Sequence, residues 1–198
     1  MDEVFQLIQE EKLRQEKTLM LIASENYSSS AVRRAVGSEL AHKYAEGYVG
    51  KRYYQGNELV DKIESLAIER GKKLFGLEHI NVQPYSGSPA NAAVLMACVN
   101  GGDTICGLKL SSGGHLTHGH PDITFSGKYY KSVQYEVELD GRIDYEKLAD
   151  FVQRENPKLI FAGTTAYPYK LDFEKFRKIA DSVGAYVVAD ISHIAGLV

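Results

Sequence analysis

The run AYVVADISHIAGLV, residues 185–198, delivers Asp190 straight after an apolar β-forming segment and His193 three residues later. A carboxylate there is costly to bury without a cation or several donors beside it. It serves as a cap or an exposed strand end, or it partners a cationic ligand ring such as a protonated pyridine nitrogen. Upstream, PYSGSPANAAVLM sets Ser86, Gly87 and Ser88 ahead of a helical pattern, with Pro89 suited to its first turn. Unpaired N–H groups and about half a positive charge at such a helix start make a phosphate cradle. A plain serine-capped helix fits the same letters. The stretch matches neither the Walker pattern nor the Rossmann glycine fingerprint.

Two further clusters are chemically equipped. GGHLTHGH carries His115, His118 and His120 in a glycine-rich loop, which reads as metal ligands or as an imidazole lying flat on an aromatic ligand. Neither Cys98 nor Cys106 has metal-ligand spacing, so no metal is expected. KYAEGYVGKRYYQG holds Tyr44, Glu46, Tyr48, Tyr53 and Tyr54. It is a packed surface loop, or a hydroxyl-rich arm over a polar ligand, with Glu46 able to move protons. Such an arm also suits a subunit interface. A phosphate grip, a ring-face cover and a carboxylate for a ring nitrogen together describe the needs of pyridoxal phosphate.

The elements that must position these residues follow from periodicity. Residues 2–17 read as a surface helix with Val4, Phe5, Ile8 and Leu13 as its stripe, and 31–40 as a short helix. Residues 43–58 fit neither regular period and read as an ordered loop. Glu58 to Phe75 is strongly helical, with Val60, Ile63, Ala67 and Leu74 on one face. Strands are predicted near 80–83, at 104–108, near 132–137, at 158–162 and at 186–190. Helices are predicted at 88–99, 144–155 and 172–183, the last opened by Asp172 and closed by Gly184. Apolar strands alternating with helices imply an α/β fold: a mostly parallel sheet covered by helices on both faces. Ligands then collect beyond the carboxyl ends of the strands, where YSGSPAN, LSSGGHLTHGH, TTAYPY and DISH all fall.

Composition narrows the classes. A net charge of −3 argues against a chain built mainly to hold nucleic acid. No stretch approaches 18 apolar residues, and the charged opening MDEVFQLIQEEKLRQEK lacks a secretory h-region. No membrane association and a cytoplasmic protein with two reduced thiols are therefore expected.

In this order and spacing, LIASENY, KYAEGYVGKRYYQG, NVQPYSGSPAN, GGHLTHG, FSGKYY, IDYEKL and ADISHIAGLV resemble serine hydroxymethyltransferase, a fold-type I pyridoxal-phosphate enzyme. The resemblance runs almost end to end. It implies an aspartate-aminotransferase-like large domain and the interconversion of serine and tetrahydrofolate with glycine and 5,10-methylenetetrahydrofolate. It implies that Asp190 pairs with the pyridine nitrogen, His115 stacks on the ring and Thr165 bonds near the phenolic oxygen. Ser86, Gly87 and Ser88 would hold the phosphate, with Tyr44 reaching it from a neighbouring subunit. Ser24 and His193 match positions near substrate and cofactor, and Glu46 matches the proton-moving carboxyl group. Tyr53 and Tyr54 would sit beside Glu46 from the partner chain. Leu110, Gly114 and Leu116 match positions contacting the pterin of folate. A homodimer with shared active sites follows, in which residues 1–57 form an arm at the interface and 58–198 part of the cofactor-binding domain.

The pattern departs from the family in places. Many relatives have alanine at Ser192 and serine at Thr165, and YYQGNE stands for the more usual YYGGCE. The resemblance also places the lysine that anchors the cofactor, the arginine for the substrate carboxylate and the small domain beyond residue 198. The expectation is the first half of such an enzyme, inactive alone. A folate-independent aldolase of the threonine aldolase kind remains an alternative on the same fold. A catalytically dead dimerisation or metal-binding module is a third reading.

Overall fold

The computed structural model describes residues 2–197. Two helices, α1 (Glu3–Lys17) and α2 (Ser30–Val36), precede a hairpin of β1 (Gly47–Tyr48) and β2 (Lys51–Arg52). Then come α3 (Glu58–Phe75), α4 (Gly87–Cys98), β3 (Thr104–Leu108), α5 (Phe125–Tyr129) and β4 (Lys131–Tyr135). The rest alternates: α6 (Tyr145–Glu155), β5 (Leu159–Gly163), α7 (Phe173–Asp181) and β6 (Tyr186–Asp190). Strands β3 to β6 form one parallel sheet in the order β4-β3-β5-β6.

Side-chain alternation along the strands builds a core on each face. On one face Cys106, Leu108, Ile160 and Ala162 pack against Leu148 and Val152 of α6 and Phe176, Ile179 and Ala180 of α7. On the other, Ile105, Leu159 and Phe161 meet Leu95 and Val99 at the end of α4, with Phe125 of α5 alongside. All five residues of β5 are buried, which is why LIFAG carries no polar alternation. The packing helices start on caps written into the sequence. Asp144 accepts from the N–H groups of Glu146 and Lys147 at 3.0 and 3.2 Å, and Asp172 from Lys175 at 3.0 Å.

The first third of the chain is different. Helices α1, α2 and α3 contribute no buried residue. The stripes expected to pack lie open, with Phe5 60% and Leu74 71% exposed. What ties the hairpin to its surroundings is Arg52, whose side chain is only 5% exposed. Its Nε donates to Asp61 at 2.8 Å, and another nitrogen to Glu64 at 2.5 Å. It also donates to the carbonyls of Ala45 and Gly47 at 2.7 and 2.9 Å. The hairpin is thereby clamped to α3.

Several expectations need correction. No strand forms near 80–83. That segment is held instead by Gln83, whose amide donates to the carbonyl of Gly47 and to Glu64 at 2.9 and 3.0 Å. Residues 43–58 include the short β1–β2 hairpin. The helix expected over 31–40 stops at Val36, and a 3-10 turn takes up Glu39–His42. Helix α5 was not anticipated, since five residues are too few to show a period.

Ile160 touches the core from the central part of the sheet and is fully buried. Ile160→Ala should cost about 2–5 kcal/mol in chemical denaturation, and Ile160→Val about 1 kcal/mol.

Candidate cofactor site

A cleft of about 190 Å³ opens where the carboxyl ends of β5 and β6 meet the start of α4 and the loop after β3. Ser86, Gly87, Ser88, Asn91, His115, His118, Thr164, Thr165, Asp190, Ser192 and His193 line it. The register sets Gly163 beside Asp190. A Cβ on Gly163 would come within 2.6 Å of the Asp190 Cβ and 3.1 Å of His118 Cε1, so only glycine leaves room for both. Gly107 does the same for the loop, since a Cβ there would meet the His118 backbone.

Asp190 is wired by donors. Its Oδ2 accepts from His118 Nε2 at 2.8 Å and Asn91 Nδ2 at 2.9 Å. Its Oδ1 accepts from the Ser192 N–H at 3.1 Å and the Ser192 hydroxyl at 2.5 Å. Burial alone would raise its carboxyl. The hydrogen bonds from His118, Asn91 and Ser192 outweigh that and hold it well below the usual carboxylate range. The donor His118 is 1% exposed and lies stacked on Phe161 at 4.6 Å between ring centroids.

His115 stands at the mouth. Its Nδ1 accepts from the Thr117 N–H at 3.2 Å and lies 2.8 Å from the Thr117 hydroxyl. Desolvation, then the nearby His118, lower its pKa, so the ring stays neutral at pH 7. At the other wall, Ser86 caps α4 without any side-chain bond to the helix. Its hydroxyl and the first N–H groups of α4 are available to an anion. Thr165 Oγ1 is buried with no partner, a donor that calls for a ligand acceptor. An acceptor-only carboxylate, a neutral ring, an anion-binding helix start and an unpaired hydroxyl fit pyridoxal phosphate. No lysine lines the cleft among the described residues.

Of the residues expected at a site, Ser86, Gly87, Ser88, His115, Thr165, Asp190 and His193 share this cleft. Ser24, Tyr44, Glu46, Tyr53, Tyr54, Leu110, Gly114 and Leu116 do not line it. Leu110, Gly114 and Leu116 flank His115 in the same loop, and Gly114 is buried against the Leu108 carbonyl. Glu46 and the three tyrosines are exposed on the hairpin region. Sequence reasoning missed Asn91 and Thr117. An amide inside the otherwise apolar ANAAVLM was the available signal, because a helix-interior Asn needs partners. Among the described residues no three His, Cys, Asp or Glu side chains gather as metal ligands, since His118 is spent on Asp190.

A family model described as serine hydroxymethyltransferase matches residues 1–198. A serine hydroxymethyltransferase of Desulfotalea psychrophila is 56% identical over 196 residues, covering 99% of this chain and 46% of that protein. Serine hydroxymethyltransferase 2 of Pseudomonas putida and serine hydroxymethyltransferase 1 of Pseudomonas savastanoi pv. phaseolicola are each 54% identical, covering 99% of this chain and 47% of theirs. The chain thus spans about half the length of the curated relatives it matches.

Because the folded state holds the Asp190 carboxyl below its unfolded value, its contribution to stability is present above about pH 4 and is lost as the pH falls below that. Asp190→Asn should therefore cost about 3 kcal/mol at pH 7 by leaving His118 and Asn91 poorly paired. Its unfolding free energy should also fall less steeply than the parent's below pH 4 in a denaturant series across pH.

Proposed function

The chain belongs to the serine hydroxymethyltransferase family, and we propose that the whole protein interconverts serine and tetrahydrofolate with glycine and 5,10-methylenetetrahydrofolate using pyridoxal phosphate. The observation carrying this reading is a single cleft that offers both an ionised carboxylate fixed by four donors and the N-terminus of α4. Few ligands need an anion grip and a partner for a ring N–H in one small space.

In this reading Ser86, Gly87 and Ser88 hold the phosphate, and Asp190 accepts the ring N–H and keeps that nitrogen protonated. His115 covers the ring face, Thr165 donates to the phenolic oxygen, and His193 stands beside them. Bound there, pyridoxal phosphate supplies an electron-withdrawing ring that takes up the electron pair released at the substrate Cα. A neutral His115 suits the ring face, because an imidazolium would repel the cation that Asp190 stabilises. Ser24 faces the amino-acid carboxylate. Glu46 moves protons at the serine hydroxyl and the folate, and Leu110, Gly114 and Leu116 take the pterin side.

A homodimer completes the site. Tyr44, Tyr53 and Tyr54 are 70%, 80% and 51% exposed on their own chain, which suits residues that serve a second copy. The open apolar stripes of α1 and α3 suit the same use. Residues 1–57 are the interface arm and 58–198 part of the cofactor-binding domain. The free thiols of Cys98 and Cys106 support a cytoplasmic placement. No described helix is long and apolar enough to cross a membrane.

The full-length protein loaded with pyridoxal phosphate should change its cofactor absorbance when serine is added. Its conversion of serine to glycine should depend on tetrahydrofolate. Equal glycine formation without folate would instead make it an aldolase, and no cofactor binding at all would overturn the reading. Glu46→Gln should lower folate-dependent turnover about a hundredfold or more while leaving cofactor binding intact.

A further inference from the structure

The two groups that face the proposed cofactor, His115 and Asp190, come from separate parts of the chain, yet two buried side chains connect them. Asn91 is 6% exposed and Thr117 3% exposed. The amide nitrogen of Asn91 lies 2.9 Å from Asp190 Oδ2 and 2.9 Å from Thr117 Oγ1. A side-chain NH2 has two hydrogens and no lone pair to offer, so both contacts are donations. Thr117 Oγ1 accepts one of them and has its own hydrogen left for His115 Nδ1, 2.8 Å away. The Thr117 backbone N–H points at the same Nδ1 from 3.2 Å, and a backbone N–H can only donate. Every direction in the chain is thus fixed. Nδ1 must be a lone pair, and the ring proton of His115 must sit on Nε2.

We infer that Asn91 and Thr117 are positioning residues: a buried brace that orients the Asp190 carboxylate and, through the Thr117 N–H and hydroxyl together, holds His115 as the neutral Nε2–H tautomer. A proton on Nδ1 would face the Thr117 N–H head-on and would undo the cap on the 3-10 turn Leu116–His118, which His115 itself forms. Losing the amide would leave Asp190 Oδ2 with His118 as its one donor and the Oδ1 side held by Ser192 alone, a looser hold on the carboxylate. The titratable groups around His115 are His118, Asp190 and His193, and the brace touches the second directly. The brace is a property of the chain itself, while its bearing on pyridoxal phosphate rests on the function proposed above.

Three variants of the full-length protein test it, each checked for folding by circular dichroism: Thr117→Val, which keeps shape and drops the hydroxyl, Thr117→Ser, which keeps the hydroxyl, and Asn91→Ala. Ring nitrogen shifts of 15N-labelled histidine, read without added cofactor, report the His115 tautomer. The parent and Thr117→Ser should show Nε2–H alone. Thr117→Val still aims its backbone N–H at Nδ1 and should keep the Nε2–H tautomer, but it loses the hydroxyl's donation, so its His115 titration should move upward in pH. Asn91→Ala should weaken pyridoxal phosphate binding about tenfold, the loss of one hydrogen bond to a charged group, and Thr117→Ser should leave it unchanged. A folded Thr117→Val with the parent's His115 titration would overturn the inference, as would a parent whose His115 carries its proton on Nδ1, or an Asn91→Ala that binds pyridoxal phosphate like the parent. If the parent binds no pyridoxal phosphate but its His115 is Nε2–H and titrates across the variants as stated, the brace stands and the cofactor reading falls.

Discussion

The contact between Asp190 and His118 organises the carboxyl edge of this sheet. A carboxylate at the end of a strand is tolerated in a dry place only if donors converge on it, and here the converging donor is an imidazole buried under a loop. That imidazole must lie flat on Phe161 and close to the backbone of β3 and β5. Two strand positions, Gly107 and Gly163, therefore carry no side chain. The loop after β3 winds through two 3-10 turns, Leu110–Ser112 and Leu116–His118, which bring His118 down to the sheet and leave His115 above it. One electrostatic requirement thus shapes two strands and the loop between them.

The remainder follows from parallel topology. Strands running the same way bring all their carboxyl ends to one edge, and the helices leaving that edge present their N-termini to it. Chemistry concentrates where backbone groups would otherwise be unpaired. The opposite tendency rules the first third of the chain, where helices expose their apolar stripes and order comes from ion pairs. The later part is closed on itself around a core, and the first third is open.

Much of this was legible in the sequence, for reasons that differ from place to place. Helix α3 and strands β3, β5 and β6 were readable because period and end signals agree. So was the cluster of Ser86, His115, Thr165 and Asp190, since strand ends in an α/β chain must meet. The segment at 80–83 misled because Ile80 and Val82 are β-forming residues at alternate positions, while its placement is decided by Gln83 reaching distant partners. The role of Asn91 and the pairing of His118 with Asp190 depend on contacts spanning 26 to 99 positions in the chain, which no local window contains. His118 looked like its neighbours His115 and His120, and only burial distinguishes it.

Arg52 carries a consequence for association. With its side chain bound to Asp61, Glu64 and two carbonyls of its own hairpin, it fixes the segment bearing Tyr44, Glu46, Tyr53 and Tyr54 to a long helix before anything docks. A surface loop rich in glycine ordinarily surrenders conformational freedom when it is captured, and that loss weakens binding. Here the loss has already been met during folding. Whatever meets this face encounters tyrosines at set spacing on a stiff support, and the encounter resembles the fitting of two rigid bodies more than the ordering of a strand of chain.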